Sequence, residues 1–384
     1  MLINNKEKCC GCGVCSLVCP QKCIAMEQDN EGFLYPKVDI KNCINCNLCH
    51  STCPIEKYIG TESTGGGYVK AFGGWHKDDK IRFESSSGGA FSLLANLIIE
   101  QGGIVFGCTL DNELKAVHIG VDKKEDLIAT TNKKISIGNI YYDVKQMLKL
   151  NRMVMFVGTP CQVAGLNVYL GKKEYNNLVR VDFICHGVPS PKIFEGYLKQ
   201  MEKEQESKII SFKFRNKDHG WNSSGLQLGS EVKFANGKRI RKYPAVKDSY
   251  MNGFLDDVYL RPSCYSCDFK RLPKNYTDFT IADFWGVNKI SKTLNDGKGT
   301  SLILIHNNHA NVFWNLVKKD FYYEQVDLKK AITRNKSLIY SAPKNLLRKK
   351  FFDTFEKKGY SYVARKYLSA HTWIIHKILK IGKA

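Results

Sequence analysis

The sequence predicts an α+β protein: a small cysteine-rich N-terminal domain followed by a larger α/β region. Three observations carry this. Ten of the 15 cysteines fall within residues 1–53. A Gly/Ser/Thr stretch, Gly60 to Gly67, follows them and reads as a linker. Beyond it, apolar runs of strand length alternate with runs of helical period, the signature of an α/β layer.

The cysteine-rich opening, residues 1–60, carries an internal repeat. Cys9-x2-Cys12-x2-Cys15-x3-Cys19-Pro20 recurs as Cys43-x2-Cys46-x2-Cys49-x3-Cys53-Pro54. Three cysteines at x2 spacing wrap one face of a cubane in a tight loop. The fourth, after x3 and before proline, reaches the other cluster. The repeat therefore predicts a bacterial two-cluster ferredoxin domain. One 4Fe–4S cluster is expected on Cys9, Cys12, Cys15 and Cys53, the other on Cys43, Cys46, Cys49 and Cys19. Gly11, Gly13, Asn45 and Asn47 suit loops whose backbone N–H groups approach sulfur. Cys10 and Cys23 fall outside the ligand spacing. Zinc sites more often pair two CxxC units.

Residues 61–67 form the expected linker, and the larger region runs from 68 to 340. Strands are expected at 69–74, 103–108, 115–120, 152–158 and 178–184. Helices are expected at 89–101, 143–150, 161–170 and 191–205. Residues 209–244 read as strand-rich. The tail, 341–384, holds 11 Lys/Arg against 2 Asp/Glu. Val363, Tyr367, Ala370, Ile374, Ile378 and Ile381 recur in it at helical spacing. This is a basic amphipathic helix, whose apolar side either caps the core or makes a peripheral membrane contact.

Charge and hydropathy bound the function classes. The chain has 384 residues, 43% hydrophobic and 25% charged, with a net charge of +21. Such a composition excludes a disordered or collagen-like chain. No apolar run reaches the length of a membrane span, and the N-terminus has no apolar signal region. Many cysteines without a secretion signal point to metal binding and a cytoplasmic setting. The basic charge suggests an anionic partner. Nucleic acid is not expected, because no binding motif is present and each thiolate-ligated 4Fe–4S cluster would remove about 2 charges. There is no GxGxxG and no P-loop.

Five cysteines remain. Cys108 follows an apolar strand and reads as a buried thiol. Cys161 lies at a strand-to-helix turn, Cys185 at the end of the next apolar strand, and Cys264 and Cys267 form a CxxC. Their surroundings carry a resemblance. The segments SSSGGAF (85–91), VGTPCQVAGL (157–166), DFICHGVPSP (182–191), FRNKDHGW (214–221), LRPSCYSCDFK (260–270), IADFWG (281–286) and KGTSL (298–302) occur in order. They resemble the beta-subunit family of the coenzyme F420 hydrogenases and dehydrogenases, to which the formate dehydrogenase beta subunit belongs. Its N-terminal part would occupy 68–165 and its C-terminal part 166–340.

The resemblance implies an iron–sulfur flavoprotein oxidoreductase. FAD would exchange a hydride with a deazaflavin or another small donor or acceptor, and single electrons with iron–sulfur centres and a redox partner protein. A third 4Fe–4S cluster is implied on Cys161, Cys185, Cys264 and Cys267, with zinc as the alternative for this scattered set. Flavin contacts are implied at Ser85, Ser86, Ser87, Gly88 and Gly89, and at Lys133, Lys134, Thr159 and Gln162. The serine/glycine turn opens an apolar helix, where N–H groups can hold a phosphate; an ordinary helix cap is the plainer reading. His186, beside Cys185, is the candidate proton relay or hydrogen-bond support. A non-enzymatic electron carrier serving a separate enzyme, in surface-polysaccharide synthesis for example, is the competing class.

Overall fold

The computed structural model describes residues 5–58, 69–128, 140–221, 229–242, 248–272 and 274–369. The expected linker lies outside these residues.

The N-terminal part is built around the doubled loop. A helix, Val14–Val18, follows the first three cysteines. Strands β1 (Ile24–Gln28) and β2 (Leu34–Val38) pair antiparallel. Short helices at Leu48–Ser51 and Pro54–Tyr58 follow the second loop. This part does not hang free. Val14, Ile55 and Tyr58 are buried in the same apolar cluster as Phe156, Val163, Phe269 and Tyr276. Burying such side chains contributes about 1.5–3 kcal/mol each, so the two regions share one core.

The larger region centres on a sheet of eight strands among the described residues. They are β3 (Lys70–His76), β4 (Ile104–Leu110), β5 (Ala116–Val121), β6 (Val154–Gly158), β7 (Leu178–Phe183), β11 (Phe279–Asp283), β12 (Ser301–Ile305) and β13 (Phe321–Val326). The order is β13-β3-β12-β11-β7-β6-β4-β5. Strands β4, β6, β7 and β11 run parallel, and the remaining pairings are antiparallel. Strands β6 and β12 are nearly continuous apolar runs, as burial on both faces requires, whereas β7 and β11 between them carry the buried polar residues Asp182 and Thr280. On one face pack the helices Ala90–Glu100 and Asn308–Val317. On the other pack Ile140–Lys149, Pro160–Leu170 and the ferredoxin helices. A second sheet, β8 (Ile209–Asn216), β9 (Gly229–Phe234) and β10 (Arg239–Lys242), forms another core with the helices Pro191–Gln205 and Arg348–Tyr367.

Every expected strand and helix up to residue 205 is present within a few residues of its expected ends. The division at 165/166 is not a structural boundary. It cuts the helix Pro160–Leu170, and strands from both sides enter one sheet. The tail helix begins at Arg348 and is interrupted at Gly359, where φ is +70°. Val363, Tyr367 and Leu368 are buried against the second core, so this part of the apolar face caps the protein. Ala370, Ile374, Ile378 and Ile381 lie outside the described residues. Among the described residues, no helix is long and apolar enough to cross a membrane.

Candidate functional site

The two N-terminal loops adopt the same backbone. Gly11 and Asn45, at equivalent positions of the repeat, have φ of +71° and +54°; Gly13 and Asn47 have +79° and +58°. Glycine and asparagine tolerate this left-handed region best. The spacing thus turns successive N–H groups inward. Cys9, Cys12, Cys15 and Cys53 line one pocket, together with Cys10 and Cys49. Burial first, then the facing thiols of Cys9, Cys53 and Cys49, push the Cys15 thiol up to about 12. The fourth cysteine of the second motif therefore closes the first loop. Reciprocally, Cys19 is carried toward the second loop. Its sulfur lies 3.4 Å from that of Cys23, which faces Cys43. Cys46 is exposed.

The four dispersed cysteines also converge. Cys161 opens the helix after β6, Cys185 follows β7, and Cys264 lies on the 3-10 turn Pro262–Ser266 just ahead of Cys267. Gly158 and Phe183 end strands on the carboxyl edge of the parallel sheet, where sites form in such folds. Burial raises the thiols of Cys185, Cys264 and Cys267, and the hydrogen bond with Cys10, then burial, raises that of Cys161. Cys264 reaches about 12 and Cys267 about 11, and Cys161 raises both. Cys185 is raised by burial and then by Cys264, Cys161 and Cys267. Val188 N–H donates to the Cys264 sulfur at 3.3 Å, and Thr159 Oγ1 lies 3.1 Å from that of Cys161. Four half-buried thiols that disfavour one another's ionisation form a donor set short of positive charge, which a bound metal centre would supply. None of the 15 cysteines forms a disulfide.

Cys10, outside the ligand spacing, lies between the two groups. Its buried thiol faces Cys12 on one side and Cys161 on the other. Arg261 crosses the same junction. It is 4% exposed, and its Nε donates to the Cys9 carbonyl at 2.8 Å. Around this contact the ferredoxin part is bolted on. Arg348 pairs with Glu31 through both guanidinium nitrogens, and Arg271 donates to the Tyr58 carbonyl. Sequence reading missed both Cys10 and Arg261 as junction residues. Only the LRPSC segment hinted at the second.

Four of the quoted segments, Ser85–Gly89, 214–221, 281–286 and 298–302, also meet one another. A cleft of about 290 Å³ lies there, lined by Asp79, Arg82, Phe83, Lys217, Gly220, Trp221, Gly297 and Lys298. Trp221 stacks on Trp285 at 5.4 Å, and its Nε1 donates to Asp283. Arg215 pairs with the same carboxylate at 2.9 Å. Lys217 is buried and donates to the carbonyls of Arg82, Ser87 and Lys298; desolvation lowers its ammonium to about 8.

The turn itself is tightly committed. Ser87 Oγ donates to the Thr300 carbonyl at 2.7 Å, and Gly88 N–H to Ser301 Oγ at 3.0 Å. A Cβ on Gly88 would lie 2.4 Å from the Gly74 carbonyl oxygen. Ser86 is exposed. Thr159 and Gln162 hold each other as a helix cap, with Thr159 N–H donating to Gln162 Oε1 at 2.9 Å. His186 Nε2 is held by the Phe254 carbonyl and by Asp257, at 3.1 and 2.8 Å. Lys133 and Lys134 lie outside the described residues. Cys108 is exposed rather than buried, because it lies near the end of β4, opposite His118 of the outermost strand.

Comparison with known proteins gives four findings. Residues 151–331 match the family described as the coenzyme F420 hydrogenase/dehydrogenase beta subunit, over its C-terminal region. An uncharacterized ferredoxin of Methanocaldococcus jannaschii is 40% identical over 58 residues, 15% of this chain and 74% of its own length. Subunit I 2 of the NADH-quinone oxidoreductase of Geobacter metallireducens is 38% identical over 58 residues, 14% of this chain; the match spans 44% of that subunit. Among solved structures, a chain from the xenon-derivatised F420-reducing [NiFe] hydrogenase complex of Methanosarcina barkeri is 16% identical with a TM-score of 0.44. The alignment covers 72% of this chain and 92% of that one. That score is too low to carry weight.

Proposed function

The chain belongs to the coenzyme F420 hydrogenase/dehydrogenase beta-subunit family, with a ferredoxin domain ahead of the matched residues, and on that premise we propose that it is an iron–sulfur flavoprotein oxidoreductase. In this reading, Cys9, Cys12, Cys15 and Cys53 hold one 4Fe–4S cluster, and Cys43, Cys46, Cys49 and Cys19 a second. Cys161, Cys185, Cys264 and Cys267 hold a third. The observation that carries the reading is the meeting of the four dispersed cysteines against Cys10, which links them to the first loop.

A bound FAD supplies the exchange of a hydride for two single electrons. The chain's own contribution is placement. The cleft beside Ser85–Gly89 is walled by Trp221 and edged by Arg82, Lys217 and Lys298, a cationic setting suited to an anionic cofactor or substrate. His186 steadies the Cys185 loop through Asp257. The small-molecule hydride donor or acceptor approaches at this cleft, and a redox partner protein meets the exposed Cys46 end. The basic charge suits an acidic partner, and the reading is of a cytoplasmic protein.

One observation favours the electron-carrier reading. The N–H of Gly88 and the hydroxyl of Ser87 are spent inside the protein rather than turned toward a ligand. Anaerobic purification followed by acid precipitation separates the two. Free FAD in the supernatant supports the flavoprotein; clusters without flavin support the carrier. Gly88→Glu would clash with the sheet and is uninformative. Ser86→Glu adds charge at the exposed position of the turn. If the turn borders the flavin phosphates, this variant should lose most of its flavin with iron unchanged. Stoichiometric FAD in the variant would move the phosphates elsewhere.

A further inference from the structure

The guanidinium of Arg261 is a buried cation whose bonds go to groups without full charge. It is 4% exposed. Its Nε donates to the Cys9 carbonyl and one terminal nitrogen to the Leu34 carbonyl, each at 2.8 Å. That same nitrogen lies 3.8 Å from the Cys9 sulfur. The guanidinium is 4.3 Å from the Tyr35 ring centre and 5.5 Å from that of Phe33. Among the described residues, no carboxylate pairs with it. A buried charge left without a counter-charge costs several kcal/mol, so the position calls for an anion. Its charge also reaches Cys161 and Cys264, whose ionised forms it favours. It therefore stands between the first N-terminal cysteine loop and the dispersed set. A side chain on Gly11 would collide with it, at 2.7 Å from a guanidinium nitrogen, so the loop is shaped to admit it.

We propose that Arg261 is the shared counter-charge of the clusters on the first loop and on the dispersed cysteines, and that it raises the reduction potential of both. The inference rests on the cluster assignment above. A 4Fe–4S centre with four thiolates carries about −2 when oxidised and gains one more negative charge with each electron accepted. A fixed cation nearby stabilises the reduced form more than the oxidised form, and so raises the potential. One cation near two centres draws both potentials up together.

The test uses the full chain, reconstituted anaerobically, with Arg261→Lys and Arg261→Gln. Iron and sulfide are measured first, then the midpoints by a redox titration followed by electron paramagnetic resonance. The expected result is full iron in both variants and midpoints shifted to more negative potential, further for Gln than for Lys. Full iron in Arg261→Gln with wild-type midpoints would overturn the proposal and leave Arg261 a docking latch. If the Gln variant loses iron, the Lys variant decides. Retention of iron in Lys supports the counter-charge. Loss in both overturns it, because the fork's shape rather than its charge would then be required. Wild-type protein that binds no iron would overturn the cluster assignment itself, a separate failure.

Discussion

At the scale of single residues, chemistry is set by what each side chain faces. Cys9 and Cys10 are neighbours with different surroundings. Cys9 belongs to the pocket with Cys15 and Cys53, while Cys10 points between Cys12 and Cys161. Cys9→Ser is expected to lose about four iron per chain, and Cys10→Ser none; iron analysis of the full-length variants checks this. The cysteine spacing made the first group legible. Only their segments, LRPSCYSCDFK and FRNKDHGW, hinted at Arg261 and Lys217, because a lone cation in a loop has no period and its burial depends on distant segments. His306 gives a pH expectation. Burial, then Lys274, lowers its ring to about 3, and Nε2 lies 2.8 Å from Thr280 Oγ1. Its folded value is below the unfolded value of about 6.5, so the neutral ring stabilises the fold fully above that pH. The contribution is lost as pH falls from about 6.5 toward 3. Thermal unfolding of His306→Gln should therefore decline less steeply than wild type across that window. Parallel curves would contradict this.

At the scale of elements, the helix Pro160–Leu170 joins the two halves. It begins at Pro160, with the Thr159/Gln162 cap ahead of Cys161, and its middle touches the ferredoxin loop. A Cβ on Gly165 would lie 2.9 Å from Tyr141 Oη and 3.2 Å from Cys12 Cβ. Gly165→Leu should therefore push the first loop off the helix, at a cost of about 1–3 kcal/mol. The expected outcome is a lower unfolding midpoint with loss of iron from that loop; unchanged iron would show that the contact is dispensable. The helix itself was legible as an apolar run opening at a strand-to-helix turn. Its contact with Cys12 was not, since residues so far apart in sequence carry no local sign of their meeting. The same holds for β3. Its strand character was plain, but its place between β12 and β13 depends on long-range pairing. The tail was expected to be helical from the spacing of Val363 to Ile381; the described helix, Arg348–Tyr367, holds only Val363 and Tyr367 of that set, and the tertiary structure shows both facing inward.

At the scale of the whole molecule, the cysteines form a path. It starts at exposed Cys46, passes the pocket of Cys9, Cys12, Cys15 and Cys53, crosses at Cys10 and Arg261, and reaches Cys161, Cys185, Cys264 and Cys267. A shared apolar core and the Arg348–Glu31 pair hold the ferredoxin part in this register. The central claim is that the dispersed cysteines hold a third cluster at the end of that path. Iron and acid-labile sulfide per chain, measured on anaerobically reconstituted wild type and on Cys161→Ala and Cys264→Ala, test it most directly. The account expects about twelve of each in the wild type and about eight in either variant. Equal iron in all three proteins, or zinc lost in place of iron, would contradict it.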